Sequence, residues 1–524
     1  MPRSPETMRA TLTATSWSTR RSARESRAVF AWVTLTAIIV IGTIPRLYHI
    51  SQPYFLDLHS WRQSDSAAFT DGYLVESFSV FDPSIARHPC SVVNTPFGRV
   101  EAELPIASFL GAIPLKLLGA TSASAQYIRL VSVAFFVVGC FLLYGCILEL
   151  GGDSAAALLA VAAFCAAPLC IFFTRSPQPD GQSLTLAIGT VWVTARYARR
   201  RQVGDVVIAT LFAAGLLLLK ISNAYLLPVL AYVLVVRLGW AAFRDWKLWL
   251  ALLVVAGATT AWYVHAHAFG WTFGIWADVA DNKFSALGQL RNPETWQTLL
   301  AKVSWDILTV SGCILTVVGI AVRGRTLLVR VCVVWLACGF TFIALTLNGQ
   351  LRHIYYQLCL VPPAVIAQGV GIRYLSASGW PARIVLIFLL ALHAEITASV
   401  LWGSSLHASA EGRSYFTEEA QLRAPIEALR KYVPQGTLFV SSERDPRLYW
   451  NANRRGYFFG LASLSEVLRC MDRASDYLLL GPSVHGGWTN PAALAHGFVP
   501  VWRDRTYALY RRVHAGSTAS ATAK

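Results

Sequence analysis

Residues 20–48 read RRSARESRAVFAWVTLTAIIVIGTIPRLY, with Arg20, Arg21, Arg24 and Arg27 leading into an apolar run from Val29 to about Tyr48. A helix needs roughly 20 apolar residues to cross the hydrocarbon core of a bilayer, and this run supplies them. It is too long for a signal-peptide core and no small-residue cleavage site follows, so it reads as a retained anchor. Arginines in a short flank stay on the cytoplasmic side. Residues 1–28, rich in Ser, Thr and Arg, therefore read as a disordered cytoplasmic tail.

The same signal recurs along the chain. Further spans are expected at about 127–149, 154–173, 181–198, 203–219, 222–240, 248–267, 304–322, 327–347, 354–372 and 383–402, giving about eleven in all. Of the 524 residues 55% are hydrophobic and 14% charged, and the mean hydropathy is +0.47. A soluble domain carries nearer a quarter charged residues, so this is the composition of a membrane protein. The net charge of +16 does not point to nucleic acid, because the arginines form short clusters between apolar runs and no single basic face. Placing the tail inside also places Arg196/Arg199/Arg200/Arg201, Arg237/Arg244/Lys247, Arg323/Arg325/Arg330 and Arg373/Arg383 inside. The opposite side then receives a first loop over 49–126, residues 174–180, about 268–303, the turn 348–353 and everything after 403. Within the first loop, Pro105–Gly119 reads as an interfacial helix. Most of the ten cysteines lie in apolar runs as small hydrophobes, and their spacing implies neither disulfide nor metal site.

The transmembrane region is thus expected over 29–402 and a small non-cytoplasmic α/β domain over 403–524. There "APIEALRKYVP" has helical periodicity, "TLFVSS" reads as a buried strand, "LSEVLRCM" then "DYLLLG" repeats helix and strand, and "YALYRR" reads as an edge strand.

Clusters of polar residues beside a membrane are costly and therefore informative. Three fall on the non-cytoplasmic side. The first contains Asp57, His59, Trp61, Arg62, Gln63 and Asp65. If helical, Arg62 and Asp65 share a face with Trp61. A partly desolvated carboxylate there suits general-base work, although a solvated helix with one surface ion pair has the same sequence. The second is Glu101 and Glu103, before the interfacial helix; these either complement its dipole or contact an acceptor or cation. The third is spread over span ends: Arg175, Asp180, Lys220, Arg352, His353, Tyr355 and Tyr356. Lys220, Arg352 and Arg175 together suit one lipid phosphate, while singly each is an ordinary snorkelling side chain. No P-loop, dinucleotide fingerprint, H-E-x-x-H or paired C-x-x-C is present, which argues against ATP-driven transport by this chain alone.

The segments "HSWRQSDSAAF" (59–69), "VEAELPIASFLGAIPLKLLG" (100–119) and "RLVSVAFFVVGCFLLY" (129–144) resemble bacterial GT-C glycosyltransferases. These belong to the broad dolichyl-phosphate-mannose protein mannosyltransferase and aminoarabinose transferase superfamily. "FTRSPQPDGQSL" (173–184), "LLLLKISNAYLLP" (216–228) and "RHIYYQLCLVPP" (352–363) are similar to later turns of the same branch, in the right order. Ser66 stands where the branch often has Thr, "QPD" replaces Met-Pro-Glu or Met-Pro-Asp, and His353 is inserted in the Arg-x-Tyr turn.

The resemblance implies a GT-C fold in the bacterial cytoplasmic membrane, with a periplasmic active face. It also implies a polyprenyl-phosphate-sugar donor, an acceptor hydroxyl on a cell-envelope glycan, lipid or protein, and inversion at the anomeric carbon. Asp65 is the favoured base and Asp57 the runner-up. Arg62 and His59 would position it, Trp61 and Gln63 would bind substrate, and Glu101 and Glu103 would contact the acceptor or a cation. Lys220 and Arg352 would hold the phosphate, with Arg175, Asp180, His353 and Tyr355 nearby. Some superfamily members use a divalent cation; this sequence neither requires nor excludes one. The rival readings are a flippase or transporter of lipid-linked sugars, for which His393 and Glu395 deep in a span speak most, and an O-antigen polymerase or ligase.

Overall fold

The computed structural model describes residues 25–513 apart from 27, 54–56, 86–88, 92–101, 270–286, 404–413, 418–419, 444, 459–475 and 483–496. In chain order its principal elements begin with α1 (Ala28–Leu47), α2 (Ser60–Val75), β1 (Pro89–Ser91), α3 (Ile106–Leu117), α4 (Ala125–Glu149), α5 (Ser154–Ala166) and α6 (Pro168–Phe173). They continue with α7 (Pro179–Arg200), α8 (Val203–Leu219), α9 (Ile221–Leu238), α10 (Trp246–His267), α11 (Pro293–Ile307), α12 (Val310–Arg323), α13 (Leu327–Leu345), α14 (Ile354–Ala377) and α15 (Trp380–Trp402). The last part holds α16 (Arg423–Tyr432), β2 (Leu438–Ser441), α17 (Pro446–Ala452), β3 (Arg455–Phe458), β4 (Tyr477–Leu480), β5 (Phe498–Arg503) and β6 (Ala508–Arg512).

Among the described residues seven helices are long and apolar enough to cross a membrane: α1, α4, α9, α10, α13, α14 and α15. The pair α11–α12, bent by 91°, makes an eighth if counted as one span. This falls short of the expected eleven, for local reasons. The run expected over 154–173 breaks at Ala167, which takes an extended conformation (φ −64°, ψ 124°) because it precedes Pro168. The run at 304–322 turns at Thr309, which has φ +62°; its hydroxyl accepts from the Gly312 amide at 3.0 Å and caps α12. Helix α8 is a 17-residue apolar helix, and α7 has 22 residues but carries Asp180, Gln182, Ser183 and three threonines along its length.

Helices α4, α5, α7, α12 and α14 pack at the centre, and α8 lies between α7 and α10. The contact of α12 with α14 is set by glycine: a Cβ on Gly319 would strike the Ala367 carbonyl, and one on Gly371 would strike that of Leu315. Small residues let membrane helices approach closely. Gly319→Leu is expected to cost at least about 1–3 kcal/mol, the range for overpacking, because backbone and not a movable side chain blocks it. A lowered thermal midpoint in detergent checks this. On the outside, Val29, Phe30, Val33 and Ile41 of α1 are exposed, as suits a lipid-facing span.

His393, deep in α15, bonds the Thr309 hydroxyl at 2.8 Å and the Ala166 carbonyl at 3.3 Å, and Ser399 donates to Glu395 at 2.7 Å. The His393 contacts join α15 to the turn before α12 and to the end of α5, whereas the Ser399–Glu395 bond lies within α15.

A six-stranded mixed sheet of order β1-β3-β2-β4-β6-β5 follows the bundle. Strands β2 and β4 and helix α16 lie where "TLFVSS", "DYLLLG" and "APIEALRKYVP" placed them; "LSEVLRCM" lies outside the described residues. "YALYRR" is not an edge strand: β6 pairs antiparallel with both β4 and β5, so among the described residues β5 takes the edge. The other edge belongs to another part of the chain, since β1, from the first loop, pairs in parallel with β3.

Candidate active site

Asp57 is completely buried just ahead of α2. A buried carboxylate needs compensating charge, and two fully buried arginines supply it: Arg129 Nη2 at 2.9 Å and Arg175 Nη1 at 3.0 Å. Arg129 Nη1 donates to the carbonyls of His49, Ile50 and Gln52, and Arg175 Nη2 also donates to that of His49. Gln63 braces the same knot, donating to the Leu58 carbonyl at 3.2 Å. Burial alone would push the Asp57 carboxyl up; the charges of Arg175 and Arg129 and a hydrogen bond with His49 outweigh it and hold it below its ordinary value. The knot ties α1's exit, α4 and the turn before α7 to the start of α2.

One and a half turns into α2 the surroundings change. Arg62 and Asp65 lie on one face, 3.9 Å apart, as their i,i+3 spacing predicts, and Arg62 also donates to Glu103 at 3.1 Å. Glu103 is fixed by its neighbours: the Leu104 amide donates to the Leu218 carbonyl at 3.0 Å, and the Trp262 indole donates to that of Ala102 at 3.1 Å. Asp65 is 1% exposed yet borders a cleft of about 230 Å³, together with Trp61, Arg62, Glu103, Lys220, His353 and Tyr355.

Lys220, in the extended break between α8 and α9, forms the far wall. Its ammonium lies 2.5 Å from Asp180, 4.0 Å from the ring centre of Tyr356 and 5.0 Å from that of Tyr355. An aromatic face attracts a cation, so the two tyrosines hold Lys220 in place beside the cleft. His59 takes a left-handed conformation (φ +52°) and sets its ring edge-on to Tyr355 at 5.3 Å, outside the cleft lining.

Of the expected site residues, then, Trp61, Arg62, Asp65, Glu103, Lys220, His353 and Tyr355 converge on one space. Asp57, Gln63 and Arg175 form the knot behind it, and Asp180 backs Lys220. Arg352 is exposed and does not border the cleft, so the three cations expected to share one phosphate do not meet. Arg175 is spent on a carboxylate, and Arg62 takes its place beside Lys220. Glu101 lies outside the described residues. As for a cation, no three His, Cys, Asp or Glu side chains gather among the described residues, and the Arg62 guanidinium contacts both Asp65 and Glu103. Tyr356, grouped with His353 and Tyr355 on sequence grounds, lies against Lys220; Arg129 went unread, although its charge inside an apolar run was the available signal.

The family model for dolichyl-phosphate-mannose-protein mannosyltransferase matches residues 102–265. In structure the chain is similar to ArnT from Cupriavidus metallidurans bound to undecaprenyl phosphate (TM-score 0.60, 11% identity, covering 92% of this chain and 98% of that one). It is also similar to the Archaeoglobus fulgidus oligosaccharyltransferase tethered with an acceptor peptide (TM-score 0.54, 10% identity, 85% and 69%). A third likeness is to the arabinofuranosyltransferase AftD from Mycobacteria (TM-score 0.51, 12% identity, 92% and 40%). No curated protein matches the chain in sequence. The family match spans less than a third of the chain, and likenesses at 10–12% identity are likenesses of fold.

Proposed function

We propose that this protein transfers a sugar from a polyprenyl-phosphate-linked donor to an acceptor hydroxyl, with inversion, at the periplasmic face of a bacterial cytoplasmic membrane. The observation that carries this reading is that Asp65 and Lys220, a base and a phosphate-binding cation, open onto one cleft. The gathering of arginine clusters at the opposite ends of the spans supports the orientation.

In the reaction Asp65 takes the proton of the acceptor hydroxyl as its oxygen attacks the anomeric carbon. The bond from that carbon to the phosphate oxygen breaks, and polyprenyl phosphate leaves with the electron pair. Lys220 and Arg62 face the negative charge that develops on the leaving oxygen. Glu103 orients Arg62, and Trp61, His353 and Tyr355 offer faces and polar edges to the sugar. The donor's tail stays in the bilayer, so no nucleotide site is needed. The acceptor is a hydroxyl of a cell-envelope glycan, lipid or protein.

The test is purified protein in detergent with a panel of radiolabelled polyprenyl-phosphate sugars and a membrane extract. Transfer from one donor supports the reading. Donor binding without transfer from any of them would replace it with the flippase reading. Lys220→Met is expected to raise the donor KM about ten- to hundred-fold, the size of one hydrogen bond to a charged group. Because this variant strands the buried Asp180, the double variant Lys220→Met/Asp180→Asn serves as the folding control. An unchanged KM in both would remove Lys220 from the phosphate site.

A further inference from the structure

The helix that carries Arg62 and Asp65 is gripped at both ends by the sheet domain. At its first residue, the buried Ser60 hydroxyl lies 3.1 Å from Arg447 Nη1. Arg447 is itself locked, with Nε 2.9 Å from Asp445 Oδ1 and Nη2 2.6 Å from Asp445 Oδ2. This planar two-point pairing fixes the guanidinium's direction in a way a lysine cannot. At the far end, Arg455 of β3 donates to Glu76, the residue capping α2, at 3.0 Å. Between the ends, Trp450 of α17 is buried in the same apolar cluster as Ala67, Phe69 and Tyr73 of α2. The first loop returns the contact by placing β1 on the edge of the sheet.

A helix rises 1.5 Å per residue, so Ser60 and Glu76 are about 24 Å apart along the axis. Contacts that far apart, with a packed indole between them, oppose both tilting and rotation of α2. Rotation matters most, because successive residues turn by about 100° and Asp65 faces the cleft only over a narrow range.

We propose that the C-terminal sheet domain is the positioning element for the catalytic helix, with Arg447 as its principal positioning residue. This rests on the proposed glycosyl transfer. Arg447 does not border the cleft and touches no reacting atom; it acts through Ser60 and the backbone of α2.

The test uses the full chain with Arg447→Ala and Arg447→Lys, read by transfer kinetics and by hydrogen–deuterium exchange. Arg447→Ala is expected to lower kcat about ten-fold or more with the donor KM within about two-fold, because misplacement of a reacting group by about 1 Å costs up to about 10²-fold. Exchange over residues 60–75 is expected to accelerate, while that of α4 and α14 stays as in wild type. Arg447→Lys, which keeps the charge and loses the two-point pairing, is expected to fall between. Exchange over 60–75 that does not change in Arg447→Ala would overturn the proposal, as would an unchanged kcat or a loss confined to the thermal midpoint. If the wild type transfers no sugar, the exchange measurement still decides the clamp, so failure of the two readings is told apart.

Discussion

Asp65→Asn is expected to lower the transfer rate by about 10²–10⁴-fold, the usual contribution of a positioned general base. Asn is close to isosteric with Asp and keeps a polar group toward Arg62, so α2 should stay in place while the proton acceptor is lost. Donor affinity should hold, since Lys220 forms the opposite wall of the cleft. A fall in kcat with the donor KM preserved is therefore the signature, with the thermal midpoint as control. Transfer that survives the substitution would move the base to Glu103, the other carboxylate bordering the cleft, and Glu103→Gln would then carry the loss. Asp57, the alternative on sequence grounds, is a poor base where it stands. It is bonded to two guanidinium groups, held below its ordinary pKa and away from the cleft lining.

How far the site could be read in advance follows from separation along the chain. Arg62 and Asp65 are three residues apart, and helical spacing alone puts them on one face. Lys220 was legible too, because a lysine ending an apolar run must sit at a span end. The partner of Arg62 was not legible as a partner: Glu103 is 41 residues away, brought in by the backbone bond from Leu104 to Leu218. Arg129 lay hidden in a run that averages as apolar, though a full charge there had to be answered by an opposite one. The run over 154–173 satisfied a length test that Pro168 overrules. Least legible was the sheet's debt to the first loop. Strand β1 is the tripeptide Pro-Cys-Ser, with no alternation to find, and it takes its conformation from β3. For the same reason residues 403–524 read as a separate domain, whereas Arg447, Trp450 and Arg455 join them to α2.

Asp57→Asn is expected to destabilise the protein by about 3–5 kcal/mol, because it leaves Arg129 and Arg175 buried without their carboxylate. Replacing the three charged residues together by apolar ones should recover only part of this loss. Arg129 also donates to the His49, Ile50 and Gln52 carbonyls, and those would lose their donor. The pH dependence gives a second readout. The folded carboxyl titrates below its unfolded value of about 3.9, so its contribution is complete above that value and is lost as pH falls through the folded pKa. The thermal-midpoint gap between wild type and Asp57→Asn should thus be level from neutral pH to about pH 5 and close only below about pH 4. A gap that closes already between about pH 7 and 5 would mean that Asp57 is not held ionised by its arginines. Because the knot sets where α2 begins, the folded fraction of Asp57→Asn should also transfer more slowly per molecule, its loss appearing in kcat as it does for Arg447→Ala. Two contacts at the start of one helix would then limit the same step, as expected if the direction of Asp65 governs the rate.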